Sequence, residues 1–250
     1  MLISFQSIEQ LIRTQGHGPL CLEPDAVHLW GVELDGSSHS FDQCVGWLDE
    51  EERRRANHLI HAENRRYYVL AHGGLRAVLG RYLRLAPDQV AMDRRAAGKP
   101  FLKTSSQDGS GITFNLSHAH GRALIAVSKA QEVGVDLECV RSEVDVTKLS
   151  ARYFAPSEHA SIMLLPEEIR SVRFFRYWVA KEAMLKAQGV GLRGLSDCEV
   201  VFDQEELNRD VQVRLGSQST APLRVRLLSC GEGWEAAVAA QNLDIVKQGG

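Results

Sequence analysis

Two acidic residues stand at alternate positions in Val133-Gly-Val-Asp136-Leu-Glu138, directly after apolar residues. Successive residues of a β-strand point to opposite faces, so Asp136 and Glu138 would share a face, about 7 Å apart at the backbone. Carboxylate oxygens at that spacing suit Mg²⁺, which also keeps several water ligands. The polar edge of a half-exposed strand gives the same pattern, so these two residues alone indicate a metal site only weakly.

A predicted helix supplies a third carboxylate and a lysine. The segment from Pro166 to Gln188 is apolar on almost every side, which is typical of a buried helix, yet Glu182 and Lys186 lie within that surface, one turn apart. The alternative is an exposed i,i+4 ion pair, which contributes only about 0.3–0.5 kcal/mol. Because buried charges need a partner, a metal or a charged ligand, Glu182 strengthens the prediction of a magnesium site with Asp136 and Glu138.

Other polar motifs lie at predicted turns. Phe114-Asn-Leu-Ser117-His118 places a serine and a histidine where a strand leaves its sheet, without the GxSxG turn of a hydrolase nucleophile. Gly189-Val-Gly-Leu-Arg-Gly194 satisfies GxGxxG but follows a helix rather than a strand. We therefore interpret Gly189 as the residue that ends this helix, not as part of a dinucleotide site.

The elements that must position these residues repeat along the chain. Tyr67-Tyr-Val matches Tyr177-Trp-Val 110 residues later, and Leu116-Ser matches Leu228-Ser 112 residues later. In both halves a long helical pattern precedes short strand patterns. The sequence thus predicts an α+β fold of two similar lobes, a pseudo-twofold duplication in which each lobe has a small, mostly antiparallel sheet packed on a long helix.

This prediction divides the chain into four parts. They are an N-terminal extension over residues 1–24, an N-terminal lobe over 25–131, a C-terminal lobe over 132–240 and a flexible tail over 241–250. Ligand clefts commonly form between two packed units, so we expect the active site at the lobe interface. Because one chain supplies both lobes, we also expect a monomer.

The charge, apolar runs and cysteines of the chain argue against several classes of function. The 250 residues include 29 basic and 32 acidic side chains, a net charge of −3, which argues against a dedicated nucleic-acid binder. Apolar runs such as Ala123–Val127 are far shorter than the ~18 residues of a membrane span, and because the first residues lack a basic region we expect no secretory leader. Five cysteines without CxxC spacing favour a reducing, cytoplasmic location.

Four motifs occur in a characteristic order: Gly98-Lys-Pro100, Phe114-Asn-Leu-Ser-His118, Gly134-Val-Asp-Leu-Glu138 and Trp178-Val-Ala-Lys-Glu-Ala-Met-Leu-Lys-Ala-Gln-Gly-Val-Gly191. Together they resemble the 4′-phosphopantetheinyl transferase family, in the larger two-lobed type that activates peptide and polyketide synthases. The last motif is highly specific, and weaker similarity continues upstream over Trp47–Arg76. The resemblance covers most of the chain apart from its two ends.

The resemblance implies an enzyme that transfers the phosphopantetheine arm of coenzyme A to a serine of an apo acyl or peptidyl carrier protein. It also implies release of adenosine 3′,5′-bisphosphate and a requirement for Mg²⁺. Asp136, Glu138 and Glu182 would then hold the metal. Glu182 would also serve as the base for the serine hydroxyl, directly or through water, and Lys186 would stabilise charge on the phosphates.

The same resemblance implies a nucleotide site. Lys99 and Pro100 would line the adenine pocket, while Ser117 and His118 would meet the 3′-phosphate. Basic residues also stand where family members have them, and which of the first three reaches the nucleotide stays open: Arg55, Arg65, Arg66 and Arg76.

The sequence leaves two other functions open. A Mg²⁺-dependent nuclease or phosphodiesterase uses similar sets of acidic residues and lysine, but the chain lacks the basic surplus that phosphate contacts require. A non-catalytic carrier-protein-binding module would be indicated by loss of a metal ligand or of Lys186, and all are present.

Overall fold

Helices and strands alternate in groups along the chain. The protein is described from a computed structural model over residues 2–14, 18, 20–103, 111–191, 194–202, 210–215 and 223–248. The helices are α1 (Ile8–Arg13), α2 (Ser38–Trp47), α3 (Glu50–His58), α4 (Ala62–Leu83), α5 (Val146–Tyr153), α6 (Pro156–Met163) and α7 (Glu167–Gln188). The strands are β1 (Phe5–Ser7), β2 (Ala26–Glu33), β3 (Met92–Arg94), β4 (Pro100–Leu102), β5 (Ile112–Ala119), β6 (Arg122–Lys129), β7 (Val133–Cys139), β8 (Cys198–Val201), β9 (Asp210–Leu215), β10 (Arg224–Ser229), β11 (Trp234–Ala240) and β12 (Asp244–Gln248). This mixture confirms the predicted α+β class.

The ends of the helices follow local sequence chemistry. Asp49 and Glu52 form a reciprocal capping box at the start of α3, which satisfies backbone N–H groups that a helix start leaves unpaired. Gly189 adopts φ 71° after α7, as predicted for a helix-ending glycine, because only glycine enters this left-handed conformation without a steric penalty. The Gly189–Gly194 motif is therefore a helix end, although residues 192 and 193 lie outside the described part.

The first sheet has the strand order β1-β2-β6-β5 and packs against α4. Strand β12 also joins it, in parallel with β2 from the register Asp244↔Ala26 to Gln248↔Trp30. The prediction of a flexible tail over 241–250 is therefore wrong for residues 244–248, because β2 offers backbone groups with which this short segment pairs. Residues 249 and 250 lie outside the described part.

The second sheet has the order β7-β11-β10-β9-β8 and packs against α7. Gly134 in β7 permits this contact, because a Cβ at that position would lie 2.1 Å from the Ala183 carbonyl oxygen and 2.3 Å from the Ala187 nitrogen. The glycine thus lets the backbones of β7 and α7 approach closely. This approach brings the acidic strand beside the helix that carries Glu182 and Lys186.

Side chains of β5 join the two sheets. The Val135 backbone N–H donates to Asn115 Oδ1 at 2.9 Å, and the Leu137 N–H donates to Ser117 Oγ at 3.3 Å. Asn115 is buried, so its amide satisfies a backbone donor that would otherwise be costly to leave unpaired. The Phe-Asn-Leu-Ser-His motif therefore fixes β5 against β7, and places Ser117 and His118 beside the acidic strand.

None of the helices in the described part of the chain is long and apolar enough to cross a membrane.

Candidate active site

Three polar side chains meet where β5, β7 and α7 come together. The Lys186 ammonium lies 2.6 Å from Asp136 Oδ1 and donates to Ser117 Oγ at 3.1 Å. Ser117 Oγ donates to the same Asp136 oxygen at 2.8 Å. Asp136 is 4% exposed, so its carboxylate depends on these two donors rather than on water. The structure thus brings together residues that the sequence places on separate elements.

Glu138 and Glu182 complete a pocket of about 370 Å³ around this group. Its walls come from the three elements and are formed by Leu116, Ser117, His118, Asp136, Glu138, Trp178, Glu182 and Lys186. Glu138 is partly held by Arg141, whose Nη2 donates to Oε2 at 3.4 Å. The fold therefore brings Asp136, Glu138, Glu182 and Lys186 to the walls of one pocket.

The pocket carries excess negative charge. Burial, reinforced by the charge of Asp136, raises the pKa of Glu182 to about 7 and the pKa of Glu138 to about 7 as well. The positive charge of Lys186 acts in the opposite direction on both groups without cancelling the rise. Three acidic groups facing one ammonium form a site that a further cation would stabilise.

Two carboxylate oxygens test whether a metal ion fits. Asp136 Oδ2 and Glu182 Oε1 are buried and have no hydrogen-bond partner among the described residues. Native proteins pair nearly all such atoms, so unpaired oxygens at one pocket fit a cation with hard oxygen ligands. The carboxylates are not arranged as a finished ligand set, however. No three histidine, cysteine, aspartate or glutamate side chains in the described ranges stand as a metal-binding group.

A larger cleft of about 880 Å³ adjoins the pocket and shares Leu116 and His118 with it. Arg55 and Pro100 line this cleft, as the resemblance implies for nucleotide-binding residues. Sequence reasoning missed Arg94 and Lys103, which line it from either side of the β3–β4 hairpin. Basic residues flanking the Gly98-Lys-Pro100 turn were the signal that could have identified them.

Three predicted nucleotide-binding residues have other surroundings. Arg66 donates to the Gly36 carbonyl oxygen and lies over the Phe41 ring, and Arg65 is exposed and is not among the residues that line the cleft. The Lys99 ammonium is buried and bonds to backbone carbonyls rather than facing the cleft. Of the basic residues Arg55, Arg65 and Arg66, the structure brings Arg55 to the cleft.

A buried ion-pair network supports the floor of the cleft. Arg76 Nε donates to Glu52 Oε2 at 2.7 Å, and Glu52 Oε1 lies 3.0 Å from His72 Nδ1. Arg76 is 1% exposed, so its guanidinium lies beneath the surface of the cleft. The resemblance groups it with the basic residues of the family, but in this chain it pairs with Glu52. The His72 ring stacks on Tyr68 at a centroid distance of 4.0 Å, and both rings pack edge-on against His118.

His118 is held uncharged. Burial, together with the nearby positive charges of His72 and Lys186, lowers the pKa of His118 to about 4. At neutral pH its imidazole can therefore donate one N–H but carries no charge. The adjoining cleft is also lined by the cations Arg55, Arg94 and Lys103, of which Arg55 pairs with Glu51 and Lys103 with Asp93.

The Lys181–Glu158 pair was missed by sequence reasoning. The Lys181 ammonium is fully buried, lies 2.6 Å from Glu158 Oε2 and donates to the Leu195 carbonyl oxygen at 2.9 Å. Glu158 also accepts from the backbone N–H groups of Ala155 and Val200, both at 2.7 Å. The first lysine of the K-E-A-x-x-K pattern thus anchors α7, while the second, Lys186, faces the pocket.

Comparisons with known proteins match both halves of the chain. A model described as the 4′-phosphopantetheinyl transferase superfamily matches residues 132–239, and one described as 4′-phosphopantetheinyl transferase, N-terminal, matches residues 33–131. The match to the solved structure of Thermotoga maritima holo-[acyl-carrier-protein] synthase covers 45% of this chain and 63% of that synthase, at 21% identity and a TM-score of 0.36.

Curated relatives agree with these matches. The chain is 39% identical to the 4′-phosphopantetheinyl transferase HetI of Nostoc sp. over 187 residues, which cover 75% of this chain and 78% of the relative. It is 23% identical to the 4′-phosphopantetheinyl transferase Sfp of Bacillus subtilis over 219 residues, which cover 86% of this chain and 93% of that relative. Three of the four motifs line one pocket, the fourth reaches the adjoining cleft through Pro100, and relatives match along most of the length, so this chain belongs to the 4′-phosphopantetheinyl transferase family.

Proposed function

We propose that this phosphopantetheinyl transferase works at the pocket between β5, β7 and α7, with Mg²⁺ held by Asp136, Glu138 and Glu182. Its reaction moves the 4′-phosphopantetheine arm of coenzyme A to a serine hydroxyl of an apo acyl or peptidyl carrier protein and releases adenosine 3′,5′-bisphosphate. The observation that carries the proposal is the pair of buried, unpartnered oxygens, Asp136 Oδ2 and Glu182 Oε1, beside the Lys186 ammonium.

Glu182 and Lys186 would have different roles: Glu182 accepts a proton, and Lys186 stabilises negative charge. Glu182 takes up the proton of the serine hydroxyl, directly or through water, from its position in the pocket beside Lys186. The serine oxygen forms a bond to the β-phosphorus of coenzyme A as the bond to the adenosine bisphosphate oxygen breaks. Lys186 donates to the phosphate oxygens, where charge develops. Bound Mg²⁺ would supply electrostatic polarisation of the pyrophosphate.

The adjoining cleft would hold the nucleotide end of coenzyme A. Arg55 and Pro100 line it, and His118 stands where it meets the acidic pocket. A substrate whose pyrophosphate lies at the junction would have its nucleotide in the larger space and its pantetheine arm beyond Trp178. This arrangement supports assigning His118 to a phosphate contact, as the resemblance implies. The Ser117 hydroxyl, in contrast, already donates to Asp136 and accepts from Lys186 and from the Leu137 N–H, so it has no donor left for a phosphate.

Metal dependence is the first expected result. Protein dialysed against a chelator should release no adenosine 3′,5′-bisphosphate from coenzyme A and an apo carrier protein, because the three carboxylates otherwise repel the pyrophosphate. Added Mg²⁺ should restore release in a saturable manner. Product release is followed chromatographically, with a carrier protein whose acceptor serine is alanine as the control. Full activity in excess chelator would refute the metal assignment, and metal-dependent cleavage of nucleic acid would indicate a nuclease instead.

We also propose that the chain comprises two lobes related by duplication. The strand orders β2-β6-β5 and β7-β11-β10 have the same plan, in which a hairpin returns beside the first strand after a group of helices. Helices α4 and α7 each have 22 residues and pack on equivalent sheets. The family-model ranges, which meet between residues 131 and 132, further support the predicted division.

A complete site in one chain predicts a monomer. The residues that line the pocket come from β5 in the first half and from β7 and α7 in the second. Size exclusion with light scattering should therefore give a mass near 27.8 kDa at low micromolar concentration. Specific activity should not change with dilution. Loss of activity in parallel with dissociation of an oligomer would contradict this prediction.

A cytoplasmic location is the compartment that we propose. All five cysteines are free thiols, and Cys44, Cys198 and Cys230 are buried. Burial raises the pKa of each of these three thiols to about 12, so they remain protonated and unreactive. Free thiols of this kind fit a reducing environment.

A further inference from the structure

Lys99 lies outside the pocket but contacts both elements that build it. Its ammonium donates to the Val133 carbonyl oxygen at 3.0 Å, to the Ala187 carbonyl oxygen at 3.0 Å and to Glu132 Oε2 at 2.7 Å. These three bonds use all three N–H donors of a lysine. Lys99 is 8% exposed, and the residues that line the large cleft do not include it. Its ammonium therefore has no free donor for a nucleotide.

The two carbonyl groups belong to α7 and β7, the helix and the strand that carry the charged residues of the pocket. Ala187 directly follows Lys186 in the last turn of α7, where carbonyl groups have no partner within the helix. Val133 begins β7, three residues before Asp136. A cation at this helix end also interacts favourably with the helix dipole. The lysine thus joins the end of the catalytic helix to the start of the acidic strand.

We propose that Lys99 is a positioning residue that holds α7 against β7 in the register that places Lys186 on Asp136. The inference rests on the proposed function of that pocket and assigns Lys99 to alignment rather than to adenine binding. Gly189 lies beside this joint, since a Cβ there would be in ordinary van der Waals contact with Lys99 Cδ, at 3.5 Å. Small shifts of reacting groups lower rates strongly, with a 1 Å displacement costing about a hundredfold.

Lys99→Met tests the proposal because methionine keeps an unbranched stem and removes the ammonium. We expect kcat for transfer from coenzyme A to an apo carrier protein to fall about ten- to a hundredfold, with KM for coenzyme A changed less than about threefold. Arg95→Met is the matched control, since Arg95 binds the same Glu132, at 2.5 Å, but contacts neither carbonyl in the hydrogen bonds described. That variant should retain kcat within about twofold.

Hydrogen exchange of the protein without substrates provides a readout independent of activity. In Lys99→Met, amides of residues 184–190 and 133–136 should exchange at least about tenfold faster, while those of α4 keep the wild-type rate. If Lys99→Met does not fold, Lys99→Gln, which retains two donors, should give a smaller change in the same segments. Thermal unfolding establishes that each variant is folded before its rates are compared.

The outcomes separate the possible roles of Lys99. A large rise in KM for coenzyme A with unchanged kcat would assign Lys99 to ligand binding and overturn the proposal. Unchanged exchange at 184–190 in a folded variant would overturn it as well. A wild-type protein that transfers nothing would refute the proposed function, while the exchange data would still decide whether Lys99 holds α7 on β7.

Discussion

Asp136→Asn should lower the rate of phosphopantetheine transfer by about a thousandfold while leaving the fold intact. The substitution removes a metal carboxylate and the partner of Lys186, and losing about 4 kcal/mol of transition-state stabilisation corresponds to this factor. Stability should hardly change without ligand, because the lost charge is one that raises the pKa of Glu138 and Glu182. Lys186 also keeps its bond to Ser117 and is partly exposed.

Lys186→Met is the matched variant on the other side of the same ion pair. It should also reduce transfer by about a hundred- to a thousandfold, as expected for loss of a group that stabilises developing charge. Unlike Asp136→Asn, it leaves a nearly buried carboxylate without its cation. Denaturant unfolding should therefore show a loss of about 3 kcal/mol. Equal stability of the two variants, or normal transfer by either, would contradict our description of the site.

Gly134→Ala should reduce both stability and transfer. A Cβ at this position would collide with the backbone of α7 at Ala183 and Ala187, and backbone atoms cannot rotate away as a flexible side chain does. We expect a loss of about 1–3 kcal/mol in the free energy of unfolding, measured with denaturant. The folded fraction should transfer at least about tenfold more slowly, because α7 must move away from Asp136.

Gly46→Ala controls for the general effect of replacing glycine. Gly46 lies near the end of α2, is exposed, and has no atom within 4 Å of the position of its added Cβ. Alanine is the better helix former, so this variant should be unchanged or stabilised by up to about 1 kcal/mol, with normal transfer. If Gly134→Ala behaves like Gly46→Ala, the close approach of β7 and α7 is not what aligns the site.

The acidic site could be predicted from the sequence because its signals are local. The alternation of Asp136 and Glu138 defines one face of a strand, and the polar positions Glu182 and Lys186 stand out on an apolar helix. Periodicity alone thus identifies charged residues that lie on an otherwise apolar face of their own strand or helix. The partner of Lys186 could not be identified in this way, since its pairing with Asp136 depends on how two distant elements pack.

The contacts that could not be predicted from the sequence join residues that are far apart in the chain. Lys99 bonds to Ala187, 88 positions away in the chain, and β12 exists because β2 offers it an edge. The segment Asp244–Gln248 has too few apolar residues to indicate a strand by itself. A motif position also does not show whether a charge faces a ligand or a backbone carbonyl, as the different surroundings of Lys181 and Lys186 demonstrate.

The most direct test is the intact mass of an apo carrier protein after incubation with this protein, coenzyme A and Mg²⁺. We expect the wild-type protein to add one phosphopantetheine mass at the acceptor serine. We expect no addition to a serine-to-alanine carrier and only trace addition with Asp136→Asn. An unchanged mass across a panel of acyl and peptidyl carrier proteins, or equal modification by wild type and Asp136→Asn, would contradict it.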